Sequence, residues 1–338
     1  MTSQQDHIEE VARLIADYRQ GEIPPADPEH VSRWLHQFDA SVREPFIAEL
    51  HHVLKNTYLS RATFETFYKN QIEHARLTGG NHGEFWREAN FLRIQSHGNS
   101  QEDVLKIFRR ALKEVLGLKL SECGGGANFV YLDDIIFSGS RVGSDLENWV
   151  ANDAPDNAVV VVLVMATHEF GEYATKKRLR EAAAKANKKI TFQVWRSLHL
   201  ENRKAYRNDS DVLWPTALPP EAATYDQGRF PLEPRSPGGK SSLFSSEAAR
   251  QVLETAFLSS GLRIRSFSQN PASSLRPLGF GPFGVGFGSL FVTYRNCPNN
   301  APLALWWGDP EADPSHPFSK WRPLVPRKTY GPFDNVDL

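Results

Sequence analysis

Between residues 5 and about 78 the apolar positions recur at spacings of three and four, the period of an amphipathic helix. Ile8, Val11, Leu14 and Ile15 make one stripe, and Pro24 and Pro25 break it. Asp27, Pro28 and Glu29 open a second helix that carries Val31, Trp34 and Leu35 on one face. Phe46, Ile47, Leu50 and Leu54 mark a third helix; Phe64, Phe67, Tyr68 and Ile72 mark a fourth. The polar, Gly-rich stretch 78–83 closes the set.

After residue 85 the period changes. "FLRIQ" (91–95) reads as a strand, followed by a polar turn and an amphipathic helix over 100–120 with acidic residues in its first turn. Gly124, Gly125 and Gly126 break that helix. "NFVYLDD" (128–134) is the next strand, "IIFSGSR" (135–141) a loop, and 142–150 a helix. "AVVVVLVMA" (158–166) reads as a strand buried on both faces. A helix over 171–189 and the strand "ITFQVW" (190–195) complete the alternation. This order predicts an α/β fold with a doubly wound, mainly parallel sheet, an α-helical N-terminal region and a loop-rich C-terminal extension. The expected boundaries are 1–84 for the helical region (packing or partner binding), 85–215 for the α/β core, and 216–338 for an α+β extension that completes the site. In that extension, 201–242 is loop-like, 245–261 is a helix ended by Gly261, 261–267 and 289–295 are strands, and 277–288 is a Gly- and Phe-rich loop.

Composition narrows the function classes. The chain has 338 residues, 40% of them hydrophobic and 23% charged, so it can bury a core. A net charge of −1 argues against a broadly basic nucleic-acid surface. Two cysteines, Cys123 and Cys297, without a CxxC pair argue against a zinc site or a disulfide framework and fit a reducing cytoplasm. The amphipathic N-terminus lacks the basic start of a signal peptide, and the longest apolar run, 158–166, is too short to span a bilayer, so no membrane is expected.

The densest chemistry lies in "NFVYLDDIIFSGSR" (128–141). Asp133 and Asp134, at the end of an apolar strand, would present carboxylates beyond the sheet's carboxyl edge, where open α/β sheets bind ligands. Ser138, Gly139, Ser140 and Arg141 would supply backbone N–H groups, hydroxyls, a helix N-terminus and a cation to a phosphate. Diol and phosphate are the two handles of a ribose 5-phosphate. The stretch also resembles the Tyr-x-Asp-Asp hairpin of reverse transcriptases. That chemistry needs a third carboxylate upstream, which "FLRIQSHGNS" lacks, and a second hairpin strand where Gly139 breaks the run.

"FVYLDDIIFSGSR" resembles the motif of type I phosphoribosyltransferases that binds phosphoribosyl pyrophosphate (PRPP): apolar strand, acidic pair, small-residue loop. Two positions depart from it: Phe137, where a small residue is usual, and Arg141, where a hydroxyl residue is commoner. Ser96, His97, Gly98, Asn99, Ser100 and Gln101 match the loop that holds pyrophosphate in that family. The resemblance implies Mg²⁺ held through the ligand beside Asp133 and Asp134. Over roughly 85–310, "FLRIQSHGNSQ", "VYLDDIIFSGS", "SEAARQVLETAFLSSG" and "GFGSLFVTYRNCPNNAPLALWW" are similar to the phosphoribosyltransferase-like proteins of bacterial conflict and antiphage-defence loci. That similarity implies an effector role, with a protein partner such as a retron-type reverse transcriptase on the N-terminal helices. A non-catalytic nucleotide sensor on the same fold is the alternative.

Further candidates surround the motif. His168 and Glu169, after the most buried strand, could be an acid/base pair or line a base site, or could cap the next helix. Asn296, Asn299 and Asn300 offer amides to a base, or form a rigid Pro-Asn turn. Trp306 and Trp307 are expected to pack, Trp195 to sit in the core, and Cys297 to be buried.

Overall fold

The computed structural model describes residues 3–95, 100–281 and 284–328. The first apolar stripes fold as expected into α1 (Gln4–Leu14), α2 (Pro28–Leu35) and α3 (Arg43–Thr57). The Ser3 side chain and Asp6 form a capping box at the start of α1, and the Asp27 carboxylate accepts from the His30 N–H at 2.7 Å to start α2. A short strand, β1 (Tyr58–Leu59), leads into α4 (Arg61–Ile72), α5 (Ala75–Thr78) and α6 (His82–Glu88). The α/β alternation follows: β2 (Asn90–Phe91), α7 (Ser100–Leu116), β3 (Asn128–Leu132), β4 (Ile135–Ile136), α8 (Ser140–Asn152), β5 (Asn157–Leu163), β6 (Ala166–His168), α9 (Glu169–Lys185), β7 (Lys189–Trp195) and β8 (Leu198–Leu200). The chain ends with α10 (Glu247–Ser266), β9 (Val292–Thr293) and α11 (Leu303–Trp306).

These elements form two compact units, Met1–Arg61 with Asn202–Leu338, and Ala62–Glu201. This division differs from three consecutive segments. The stripes of α1 to α3 share one core with α10 and α11, while α4 to α6 belong with the sheet. An amphipathic stripe fixes that a helix face is covered but not which element covers it. The expected strand at 261–267 is the last part of α10. Gly261 does not end that helix; a Cβ there would lie 2.4 Å from the Pro277 carbonyl oxygen, so the glycine admits a crossing backbone.

In the first unit a buried ion network ties the loop after residue 202 to α10. The Arg235 guanidinium donates to the Glu254 carboxylate (Nη2 to Oε2 2.9 Å) and to Glu247 (2.8 Å). Arg250 Nε donates to Glu254 Oε1 at 2.8 Å, and the Trp214 N–H to the same oxygen at 3.0 Å. Arg235, Arg250 and Glu254 are all essentially inaccessible to solvent. Cys297, Trp306 and Trp307 are buried in the core, as expected, and burial pushes the Cys297 thiol far up.

In the second unit β2, β3, β5 and β7 form a parallel sheet in chain order. Phe91 is paired with Val130 and meets Phe108 of α7, whereas the next residue over, Phe129, meets Trp149 of α8. Adjacent strand positions point to opposite faces. Helices therefore cover both faces: α7, with Tyr68 of α4 and Trp86 of α6 against Phe108, on one, and α8 with α9 on the other. The doubly wound arrangement is as expected. Among the described residues, however, the first strand spans only Asn90–Phe91 rather than 91–95.

Each of the three longer strands is interrupted by two residues and then resumes. Past the break, β4, β6 and β8 form a second parallel ladder in the same order. The register is unchanged across it: Leu132 lies opposite Leu163, and Ile135 opposite Ala166. No residue is gained or lost, so this is a shared kink and not a bulge. It does invert the facing. Tyr131 and Ile136 pack in the same core with α8 and α9, although five positions apart, an odd spacing that an unbroken strand would split between faces. The expected loop 135–141 therefore begins with a strand, and β4 runs on in the direction of β3. The hairpin of the reverse-transcriptase motif is not formed. Among the described residues no helix is long and apolar enough to cross a membrane.

The buried network gives a direct expectation. Glu254→Ala leaves two guanidiniums buried without their carboxylate and should cost about 3–5 kcal/mol, read as a lowered urea midpoint in equilibrium unfolding. Equal midpoints for variant and wild type would show that the network does not hold this unit together.

Candidate active site

The kink places the acidic pair. Asp133 and Asp134 are the two residues between β3 and β4, held by hydrogen bonds that cross the break: Asp133 N–H to Leu163 O at 3.2 Å and Met165 N–H to Asp134 O at 2.9 Å. The Asp133 carboxylate accepts from the Asp134 N–H at 2.9 Å, and the Ser100 side chain, at the first residue of α7, favours its ionised form. Asp134 is half-buried, and its carboxylate accepts from the Ile135 N–H at 2.8 Å. Tyr131, the aromatic residue of the motif, is not at the site. Its hydroxyl donates to the buried Asp145 in the middle of α8 at 2.9 Å and so ties α8 to β3.

The expected phosphate loop is built at very close range. Gly139 has φ of +78° and precedes the first residue of α8. A Cβ there would stand 2.2 Å from Thr175 Oγ1 and 2.5 Å from the Gly171 carbonyl oxygen, and a Cβ on Gly171 would stand 1.8 Å from the Phe137 carbonyl oxygen. Only two glycines let this loop lie on α9. Thr175 Oγ1 donates to Gly171 O at 2.8 Å within α9. Ser138 Oγ donates to Ser140 Oγ at 3.1 Å, and Ser140 and Arg141 are exposed in the first turn of α8. Hydroxyls, a guanidinium and a helix N-terminus therefore meet where an anion is favoured.

On the other side of Asp133 stands the start of α7. Ser96, His97, Gly98 and Asn99 lie outside the described residues, but both ends of that stretch are fixed. Gln101 Oε1 accepts from the N–H groups of Ile94 (2.9 Å) and Gln95 (3.1 Å). Gln95 Oε1 accepts from the Gln101 N–H at 3.0 Å, and Gln95 Nε2 donates to Ser100 Oγ at 2.7 Å. Gln101 is 4% exposed, and among the described residues its buried Nε2 has no hydrogen-bond partner. A buried unpaired donor is costly unless a ligand satisfies it.

The remaining candidates separate. His168 is fully buried, stacked on Phe137 at 5.3 Å with Nδ1 3.4 Å from Ile136 O. Burial holds its imidazole down at about 3, so it is neutral and structural in character at ordinary pH. Glu169 begins α9 and its carboxylate pairs with His199 Nε2. Asn296, Asn299 and Asn300 belong to the other unit. There Asn296 exchanges hydrogen bonds with the Lys328 backbone, Asn300 donates to Phe280 O at 2.8 Å, and the Asn299 carbonyl accepts from Phe280 at 2.8 Å; the Pro-Asn turn reading describes them. Trp195 is half-buried, edge-on to His74. Gln95, Asp145, Gly171, Thr175 and His199 were not singled out from the sequence. For Gly171 and Thr175 the signal was a glycine and a small hydroxyl residue one turn apart near the start of a helix that follows a buried strand.

Burial, and then the neighbouring Asp134 carboxylate, push Asp133 up to about 7, against the pull of Arg141, Ser100 and the Asp134 N–H. Asp133 is thus easily protonated near neutrality, and a ligand that brings hydroxyl donors or a cation is favoured beside it. Among the described residues no group of three or more His, Cys, Asp or Glu could hold a metal ion. A divalent cation here would need ligand oxygens to complete its shell around Asp133 and Asp134.

Neither the curated proteins nor the solved structures contain a match to the chain. The PRTase-CE family model matches residues 31–327, and the chain belongs to the PRTase-CE family, a phosphoribosyltransferase-like group.

Proposed function

We propose that the chain is a phosphoribosyltransferase that takes PRPP and releases pyrophosphate from C1 of the ribose. The observation that carries this reading is the acidic pair set in the break of the parallel sheet, followed after β4 by the loop that Gly139 and Gly171 let lie on α9. The start of α7, expected to hold pyrophosphate, acts on Asp133 through the Ser100 side chain.

In this reading Asp134, and Asp133 when ionised, accept hydrogen bonds from the 2′ and 3′ hydroxyls and stabilise positive charge as the C1–O bond to pyrophosphate breaks. Ser138, Ser140, Arg141 and the α8 N–H groups hold the 5′-phosphate. Gln101 Nε2 and the α7 N-terminus face the leaving group. Asp133 and Asp134 would lie beside Mg²⁺, which would neutralise leaving-group charge when bound. We further propose an effector role in bacterial antiphage defence beside a retron-type reverse transcriptase. This setting rests on the resemblance of the quoted segments; co-purification with that enzyme and loss of phage protection in an Asp134→Asn strain would support it, and full protection by that strain would overturn it.

The activity is tested by incubating the protein with PRPP and Mg²⁺, with and without bases, nucleosides and RNA, and measuring pyrophosphate. Saturable release is expected, with Asp134→Asn slower by about 10²-fold. No release with any acceptor overturns the enzyme; PRPP binding without release then identifies a nucleotide-binding module.

The proton on Asp133 gives an independent expectation. Its value in the fold lies above the unfolded carboxylate value of about 3.9. The folded state then binds the proton more tightly, and stability falls as pH rises from about 4 towards 7. Asp133→Asn escapes that cost. The variant's melting temperature should rise relative to wild type between pH 5 and pH 8, and a gap constant with pH would show that Asp133 is ionised throughout.

A further inference from the structure

The loop region of the first unit carries aromatic rings at its surface, each beside a guanidinium. Among the described residues three large hydrophobic side chains are exposed, and two of them lie here, Tyr206 (49%) and Phe230 (52%). The Arg203 guanidinium stands over the Tyr206 ring at 4.2 Å, and that of Arg229 over the Phe230 ring at 5.2 Å. The two segments touch. Lys204 Nζ pairs with Glu233 at 2.5 Å, and Arg207 Nε donates to Pro234 O at 3.2 Å. Glu233 and Pro234 follow closely on Phe230, so both rings belong to one stretch of surface.

A pair of arginines adjoins Phe230. The Tyr225 hydroxyl and Arg276 Nη1 both donate to Gly284 O, at 2.9 Å and 2.8 Å, and Nη1 also donates to Gln227 O at 3.0 Å. The Arg265 guanidinium lies over the Tyr225 ring at 5.1 Å. A Cβ on Gly228 would stand 3.4 Å from Arg276 Nη2, and Arg229 and Phe230 are the next two residues. Among the described residues no salt bridge engages Arg229, Arg265 or Arg276, and the buried Nε of Arg276 has no hydrogen-bond partner. Asp226 acts on Arg265 through space, but its Oδ1 accepts from the Gly228 N–H at 2.8 Å. The same unit pairs its other buried guanidiniums, Arg235 and Arg250, with Glu254. Burial first, and then the charge of Arg276, work against the Arg265 cation, with Tyr225 and Asp226 opposing them. An anion beside the pair would be favoured by both guanidiniums.

Exposed rings interleaved with guanidiniums match the alternation of base and phosphate along a single strand, where every base offers a face to stack. A lone nucleotide has one base for two rings, and a duplex keeps its bases stacked on each other. The net charge of −1 makes the positive surface local rather than general. We infer that this face of the first unit binds single-stranded nucleic acid. Bases stack on Tyr206 and Phe230, and phosphates meet Arg203, Arg229 and the Arg265–Arg276 pair. The acidic pair belongs to the other unit, and the inference stands apart from the reaction proposed above.

The test uses the full-length protein with fluorescein-labelled oligouridine and oligothymidine of about 15 nucleotides, read by anisotropy from about 50 to 300 mM NaCl. Saturable binding is expected, falling with salt at a log–log slope of about −2, that of about three phosphates on a single strand. Phe230→Ala and Tyr206→Ala should each weaken binding by about 5- to 100-fold with the slope unchanged. Arg229→Gln and Arg276→Gln should each reduce the slope by about 0.7. Arg33→Gln, which removes an exposed arginine of α2 paired with Glu29, should change neither. Tyr206, Arg229 and Phe230 are exposed, so their variants decide the matter even if Arg276→Gln loses its fold. Absence of binding to both strands overturns the inference, as does an equal loss in Arg33→Gln or equal binding of a duplex. Displacement of the strand by PRPP would also overturn it, by placing the strand at the acidic pair. Pyrophosphate release is not read, so failure here leaves the proposed reaction untouched.

Discussion

The shared kink in the parallel strands is the constraint on which the site depends. Parallel ladders are rigid, and a carboxylate within one would point into a helix-covered face. Here β3, β5 and β7 break at the same level and resume in unchanged register. The break removes two residues from regular pairing without ending the sheet. It also swaps which side chains meet α8 and α9 on either side of it. Asp133 and Asp134 occupy the break in β3, and Arg196 occupies it in β7. Polar chemistry thus enters the middle of the sheet at the row where alternation is suspended.

Close backbone approach supplies the second half of the design. Gly139 and Gly171 allow the loop before α8 to lie directly on α9, so the starts of both helices open at the same edge. On the other flank, Gln95 and Gln101 exchange side-chain hydrogen bonds with each other's backbone and hold the start of α7 against the acidic pair. The site is assembled from helix N-termini and amide donors, with Asp133 burying a carboxylate among them at the cost of its ionisation.

Much of this was legible in the sequence. The helix and strand periods, the Asp27 cap, the acidic pair and the break at Gly139 follow from local chemistry. What was not legible is non-local. The kink has no composition of its own: Val164 and Met165 look like any buried strand residues, and Ile135 and Ile136 look like the start of a loop only because two aspartates precede them. His199 in "SLHL" becomes notable only when β8 is set beside β6 and Glu169. Asn296 and Asn300 carried the right functional groups, yet their amides close turns in the other unit. Gly261 looked like a terminator because sequence cannot show the backbone of Pro277 crossing the helix.

The division of the chain bears on how it is made. Residues 1–61 share their core with segments beyond residue 202, and the whole sheet unit is encoded between them. On a ribosome α1 to α3 therefore emerge long before α10 exists. At ordinary elongation rates Val11, Trp34, Phe46 and Leu50 wait roughly ten to fifty seconds for the helix that completes their core, while the sheet unit folds behind them. The nascent chain carries this apolar surface without its final cover through most of its own synthesis.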